Sequence, residues 1–184
     1  MITVRNAVPG DAKRLAEIYA YYVEKTAITF EYDSPTAEEF AGRMKNIMEK
    51  YPYLVVEKDG VVMGYAYAHE FIARAAYDHS CELTIYLAHG AEKCGMGRLL
   101  YESLESALKK MGILNLYACI GYPQVEDEYL NKNSAQFHEH LGFKTVGTFH
   151  NCGFKFGRWY HMIWAEKLIG EHESAPTLKK YSEV

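Results

Sequence analysis

The fold is decided by residues 81–112, which read CELTIYLAHGAEKCGMGRLLYESLESALKKMG. Polar and apolar side chains alternate over residues 81–87, and this alternation predicts a β-strand. A glycine-bearing loop follows at 88–97. The apolar residues beyond the loop recur at helical spacing, as Leu100, Leu104, Ala107, Leu108 and Met111. A strand, a loop and a helix in this order are typical of an α/β unit whose loop carries function.

Further elements are predicted on both sides of this unit. One helix is expected after an N-cap at Asp11, and a second after a capping box formed by Thr36 and Glu39. Asp59-Gly60 between two β-rich runs predicts a hairpin. Strands are expected at 2–5, 53–58, 61–70, 115–120, 143–149 and 159–167, with an extended piece at 29–31 and a helix at 131–141.

This order of elements predicts an α/β (α+β) domain over residues 1–168, built on a mixed sheet with helices on both faces. The apolar residues thin out after Gly170. We therefore expect residues 169–184 to form a polar C-terminal tail that is mobile or packed on a neighbouring molecule.

Composition excludes several classes of protein. The chain has 184 residues, 49% of them hydrophobic, which is enough for one domain with its own core. A net charge of −4 without a basic stripe argues against nucleic acid as a partner. The apolar runs are too short to span a membrane, and residues 1–7 lack the apolar core of a signal peptide. These features predict a cytoplasmic protein that does not act at a membrane. The four scattered cysteines predict reduced thiols and no metal site.

The loop at 92–98, EKCGMGR, is a candidate anion site. Gly95 and Gly97 allow backbone N–H groups to turn toward an anion, and the start of a helix adds partial positive charge there. The loop lacks the patterns of ATP-binding and dinucleotide-binding loops, so a pyrophosphate of another kind is expected. The alternative is that both glycines only shape a tight turn. The 16 tyrosines also allow two interpretations. They could line a polar-rimmed pocket or a subunit interface, or they could simply be scattered over the sheet.

Residues 81–143 resemble the core of the GNAT acyl-CoA N-acyltransferase superfamily. Its pattern is a strand, a Q/R-x-x-G-x-G/A loop opening a helix, a strand, and N-x-x-A/S-x-x-x-Y before L-G-F. Here the second part reads Asn131, Ser134, His138 and LGF at 141–143, while Glu92 replaces the usual Gln or Arg. The chain is also similar, over about residues 1–168, to the phosphinothricin and methionine sulfoximine N-acetyltransferases, through TFE at 29–31, ARAAYD at 73–78, ELTIYL at 82–87 and GFKFGRW at 153–159.

The resemblance implies a single GNAT-type domain with a mostly antiparallel sheet, and direct acetyl transfer from acetyl-CoA, without a metal, to a small amino-acid-like acceptor. Glu82 would be the general base that takes a proton from the acceptor ammonium. His138 stands where many members carry a tyrosine, and an imidazole there would protonate the departing thiolate. Two alternatives stay open: Glu82 as a surface charge at a strand edge, and His138 as a helix-surface histidine.

The resemblance also implies the binding residues and a homodimer. The residues implied to bind the coenzyme are Ile85, Tyr86, Leu87, Lys93, Cys94, Gly95, Met96, Gly97, Arg98, Leu99, Asn131 and Ser134. Of these, Leu87 would offer its N–H to the acyl oxygen, and Ser134 would cap its helix or touch the coenzyme. Acceptor binding falls on Thr29, Phe30, Arg74, Thr84, Lys155 and Tyr160. The rival functions are an acyl-CoA sensor without turnover and an acetyltransferase for protein or polyamine amines.

Overall fold

The computed structural model describes residues 1–92 and 94–184. Its elements in chain order are β1 (Ile2–Asn6), α1 (Ala12–Lys25), α2 (Ala37–Met48), β2 (Tyr53–Lys58), β3 (Val61–Glu70), β4 (Ser80–Leu87), α3 (Met96–Met111), β5 (Asn115–Tyr122), α4 (Asn133–His140), β6 (Lys144–Lys155) and β7 (Arg158–Leu168).

Local sequence signals produce several of these boundaries. The Thr36 hydroxyl accepts the Glu39 N–H, and the Glu39 carboxylate accepts the Thr36 N–H, so the predicted capping box starts α2. Asp59 and Gly60 both have positive φ, as the hairpin turn between β2 and β3 requires. Asp11 precedes α1 as expected, but its carboxylate makes no cap and is held by a bidentate pair with Arg5 instead. Residues 29–31 form no strand.

Within the part of the chain that the structure describes, the sheet has seven strands in the order β1-β2-β3-β4-β5-β7-β6, and only the β4–β5 pair is parallel. Neighbouring residues of β4 show how the helices divide between the faces. Tyr86 contacts Tyr19 of α1, with ring centroids 4.9 Å apart. Ile85, which points the other way, lies beside Gly97 at the start of α3. The predicted mixed, mostly antiparallel sheet with helices on both faces is confirmed.

Tyrosines fill the layer between the sheet and the α1–α2 pair. The rings of Tyr53, Tyr65 and Tyr67 stack along β2 and β3, and Tyr86 of β4 joins them. Tyr65 and Tyr53 are buried. Much of the tyrosine content therefore belongs to the core, where planar side chains cover a large apolar area.

The sheet opens between its two parallel strands. β4 and β5 pair only from Ser80 and Asn115 to Glu82 and Tyr117. Beyond that point β5 stays paired with β7, while β4 stays paired with β3. The segment after α1 lies beside the end of β5, where a Cβ on Gly121 would be 3.0 Å from the Ala27 carbonyl. This backbone contact packs the segment against one face of the sheet at the end of β5.

The C-terminal tail packs on its own domain, which corrects the expectation of a mobile or neighbour-bound segment. The Ile169 N–H donates to the Leu114 carbonyl, and the Lys179 N–H donates to the Met111 carbonyl. Gly112 ends α3 against the Thr177 carbonyl, with no room for a Cβ. The tail thus covers the C-terminal end of α3. Among the helices of the described residues, none combines the length and hydropathy needed to cross a membrane.

Candidate active site

A cavity of about 230 Å³ lies where β4 and β5 part. Both strands line it, together with the segment after α1, one tyrosine of α3 and the first turns of α4. Because the sheet is open at this point, the cavity is reached by side chains from both faces of the sheet. It brings together eight of the residues predicted for the site, namely Thr29, Phe30, Glu82, Thr84, Ile85, Tyr86, Ser134 and His138.

Glu82 is the carboxylate of this cavity. It stands at the last β4–β5 pair, and its side chain is 19% exposed, so it is not a surface charge. His69 lies opposite on β3, with its Nε2 atom 3.7 Å from Glu82 Oε2. Burial raises the pKa of Glu82 above its ordinary value, and the charge of His69 opposes this rise. A carboxylate with a raised pKa binds a proton more readily, which suits a general base.

His138 is buried, with 4% of its surface exposed, so it is not a helix-surface histidine. Its Nδ1 lies 2.7 Å from the Ser134 carbonyl oxygen, and its Nε2 lies 3.0 Å from the hydroxyl of Tyr101. Burial lowers the pKa of His138 to about 4. The imidazole is therefore neutral at neutral pH. The one N–H of this neutral ring faces the Ser134 carbonyl, and the role of His138 in protonating the thiolate stays a prediction.

The main chain of β4 presents hydrogen-bonding groups to the opening. The Ala88 N–H donates to Met63 on β3, so by strand alternation the amides of Leu83, Ile85 and Leu87 face away from β3. The Leu87 carbonyl accepts the Tyr22 hydroxyl at 2.6 Å on that side. The N–H groups of Ile85 and Leu87 are thus directed toward the gap between β4 and β5.

The start of α3 borders the same gap. Gly95 has φ 79°, and Leu99 makes the first helical hydrogen bond to it, so the N–H groups of Met96, Gly97 and Arg98 precede the hydrogen-bonded turn. A Cβ on Gly97 would lie 3.2 Å from the ring of Phe137 on α4. The glycine therefore allows α3 and α4 to approach closely. Met96 is buried, whereas Glu92, Cys94, Arg98 and Leu99 are exposed. The predicted coenzyme ligand Lys93 lies outside the described residues.

Lys155 and Tyr160 lie behind the predicted acceptor side of the cavity. Lys155 is 3% exposed, and its ammonium donates to the Thr29 carbonyl at 2.8 Å. Burial lowers the pKa of Lys155, and the charge of Glu31 opposes this effect. Tyr160 donates to Asp127 at 2.8 Å, and its ring stacks on Phe30. Both residues support the wall formed by Thr29 and Phe30 and do not line the cavity.

Three other predicted residues differ in their relation to the cavity. Arg74 is exposed at the start of the 3₁₀ turn Ala75–Tyr77 and does not line the cavity. Asn131 is exposed and accepts the Asn133 N–H at 3.0 Å, and its contact with the coenzyme stays a prediction. Ser134 lies inside α4, so it does not cap the helix, and it lines the cavity, as the second predicted role requires.

Sequence reasoning missed His69, Tyr101, Cys119 and Met162, of which the last three line the cavity. The sequence offered no signal for His69, because its pairing with Glu82 depends on the register of β3 and β4. Cys119 is an exposed thiol at the cavity. All four cysteines are free. Among the described residues, no cluster of three or more His, Cys, Asp or Glu side chains is arranged to hold a metal ion.

Comparison with known proteins shows one family. The family model described as the acetyltransferase (GNAT) domain matches residues 4–164. A phosphinothricin N-acetyltransferase of Streptomyces coelicolor is 38% identical over 172 residues, which cover 91% of this chain and 96% of that protein. An L-methionine sulfoximine/L-methionine sulfone acetyltransferase of Salmonella typhimurium is 28% identical over 172 residues, covering 93% and 96%. A GNAT superfamily phosphinothricin acetyltransferase of Sinorhizobium meliloti, solved in complex with acetyl-CoA, superposes with a TM-score of 0.88 at 33% identity, covering 98% and 95%.

Proposed function

Because the chain belongs to the acetyltransferase (GNAT) family and is an acyltransferase, we propose that it transfers the acetyl group of acetyl-CoA to the α-amino group of a small amino-acid-like acceptor. Phosphinothricin, methionine sulfoximine and methionine sulfone are the leading acceptors, since relatives that match nearly the whole chain carry those names. The observation that carries the proposal is a partly buried carboxylate, Glu82, that lines a cavity together with the open edge of β4, of which Ile85 lies beside Gly97 at the start of α3.

The groups around the opening fit acetyl-CoA as co-substrate. The N–H groups at the start of α3 suit a diphosphate, because the positive end of the helix dipole lies there. The amides of Ile85 and Leu87 on the β4 edge suit an extended amide-bearing chain, as an added strand would. Acetyl-CoA supplies a thioester, and the Leu87 N–H is assigned to its acyl oxygen.

Glu82 is assigned as general base. An α-ammonium group cannot attack a carbonyl until it has lost a proton, and Glu82 takes that proton directly or through one water molecule. The raised pKa of its carboxyl makes it a stronger base than an ordinary glutamate. The amine reaches the opening from the Glu82 face of the sheet, while the start of α3 lies on the other face.

We assign recognition of an acidic acceptor to the positive charge of Lys155, which lies behind Thr29 and Phe30. The buried ammonium of Lys155 donates one hydrogen bond there and has two further N–H groups. Arg74 is a further, exposed cation that we assign to recognition of the acceptor. This positive charge favours an acidic acceptor over a polyamine. We also assign a homodimer, which the exposed Phe149, Phe154 and Trp159 of the β6–β7 hairpin support.

The test is a thiol-release assay across a panel of amino acids, sulfoximines, phosphinates and polyamines, run beside calorimetric titration with acetyl-CoA. We expect micromolar to millimolar KM values for at least one acidic α-amino acid analogue. Binding of acetyl-CoA without thiol release for any amine would support the sensor instead. Turnover with polyamines alone would favour that rival acceptor class.

A further inference from the structure

We propose that Tyr101 is the group that protonates the departing thiolate, and that His138 is the positioning residue that holds the Tyr101 hydroxyl in place. This inference rests on the proposed function, since it assigns a further catalytic residue to the same reaction. Both side chains line the cavity with Glu82, and they approach it from α3 and α4.

The hydrogen-bond partners of His138 determine whether the proton between His138 and Tyr101 belongs to the imidazole or to the phenol. The Ser134 carbonyl oxygen only accepts, so the 2.7 Å contact requires a proton on His138 Nδ1. A neutral imidazole carries one proton, which leaves Nε2 as an acceptor. The 3.0 Å contact is then donated by the Tyr101 hydroxyl. His138 therefore has no proton to offer on the side that faces Tyr101.

The burial of both rings agrees with this assignment. Burial lowers the pKa of His138 to about 4, so the imidazole stays neutral at neutral pH. Burial raises the pKa of Tyr101 above its ordinary value, and the charge of Glu82 adds to the rise. The phenol therefore keeps its proton at neutral pH.

A second cavity provides a route for reprotonation. It has a volume of about 120 Å³ and lies between α3, the end of α4 and β7. Tyr101 lines both cavities and so forms part of the wall between them. The polar side chains of Glu102, His140 and Lys167 make the second cavity suitable for water.

In the proposed step the amine nitrogen forms the C–N bond, while the C–S bond breaks and its electron pair goes to sulfur. The Tyr101 hydroxyl turns its hydrogen from His138 to the sulfur, which takes the phenolic proton. The nitrogen loses two protons, one to Glu82 before attack and one to water after the C–N bond has formed. The second of these protons is returned to the phenolate through water in the second cavity, and the first passes from Glu82 to solvent, so one proton is released per acetyl transfer.

The kinetic test compares Tyr101→Phe, His138→Phe and Tyr53→Phe. Tyr53 is a matched control because it is a buried tyrosine of β2 that does not line the cavity. In single-turnover assays we expect Tyr101→Phe to lower the rate about 10²-fold with little change in acetyl-CoA affinity, and His138→Phe to lower it less. A wild-type rate in Tyr101→Phe, or a larger loss in His138→Phe, would overturn the assignment.

A binding test needs no turnover. Calorimetry at pH 7 and 9.5 compares free CoA with desulfo-CoA, which lacks the thiol. We expect the wild-type preference for CoA to increase about tenfold at pH 9.5, because the thiolate accepts the phenolic hydrogen bond. Tyr101→Phe should lose this increase while Tyr53→Phe and His138→Phe retain some of it. An increase that survives in Tyr101→Phe refutes the role of Tyr101 even if the proposed function holds. Absence of thiol release in the wild type refutes the proposed function and leaves the binding result intact.

Discussion

Replacing Glu82 by Gln keeps the shape of the side chain and removes its ability to accept a proton. Glu82 is the only carboxylate among the described residues that line the cavity, so no other acidic side chain there can take over. General-base catalysis contributes about 10²–10⁴ in rate, which corresponds to about 3–5 kcal/mol of activation free energy. We therefore expect kcat to fall by that factor, while the affinity for acetyl-CoA stays within about twofold.

The pH dependence gives a sharper measure than the rate alone. The base must be ionised, so the wild-type rate should rise with pH through the pKa of Glu82, which burial raises above the ordinary value of 4.5. His69 opposes that rise when it is charged, so His69→Asn should move the ascending limb to higher pH. In Glu82→Gln this limb should disappear.

Folding stability provides an independent check on the same carboxyl group. Since the folded-state pKa is raised, the folded protein binds more protons than the unfolded chain between the unfolded and the folded pKa of Glu82. Stability from this group is therefore present at low pH and is lost as pH rises through that window. Glu82→Gln removes the cost of burying the charge, so its Tm at pH 7.5 should equal or exceed that of the wild type.

The assay is continuous detection of released thiol from pH 5 to 9, with thermal melts of the same samples. An ascending limb that survives unchanged in Glu82→Gln would refute the base assignment. A Tm several degrees below that of the wild type would refute the inference that the partly buried charge of Glu82, beside His69, has a net cost for stability.

Three further changes test the acceptor wall and the tail. In Gly153→Ala the new Cβ would lie 2.4–2.7 Å from three atoms of the rigid Phe30 ring. We therefore expect the free energy of unfolding to fall by about 2 kcal/mol, which would lower the Tm by about 4–8 °C, and we expect the KM for the acceptor to rise. Lys155→Met should raise the KM of acidic acceptors about 10- to 100-fold without changing the KM of acetyl-CoA. An acceptor KM equal to that of the wild type would refute the role assigned to the ammonium. Deletion of residues 177–184 removes the contact of the tail with Gly112, so the Tm should fall by several degrees while kcat is unchanged. A lower kcat in a deletion variant that is still fully folded would contradict a purely structural role of the tail.

The elements that sequence predicted well are those whose signals are local. A capping box, a hairpin turn and the helical spacing before Gly112 each act within a few residues, so they can be read without knowledge of the tertiary structure. The alternation along 81–87 likewise determined that Glu82 and Thr84 share one face of β4. The motif pattern then identified half of the residues that line the cavity.

The protonation state of His138 was beyond the reach of the sequence. Its neighbours Glu139 and His140 are polar, so the local pattern did not distinguish a surface position from a buried one. Only the packing of α4 against α3 buries the ring and brings Tyr101 to its Nε2 atom. The same holds for the tail, whose partners are the end of α3 and the segment after it.

The sequence by itself determined the strand, glycine loop and helix at 81–112 and the kinds of side chain available for acetyl transfer, because spacing and turn chemistry act between near neighbours. The tertiary structure decided where the sheet opens, which groups lose water and which proton lies between Tyr101 and His138. Burial and hydrogen bonding between distant segments fix those properties, and they exist only once β4, α3 and α4 have packed together.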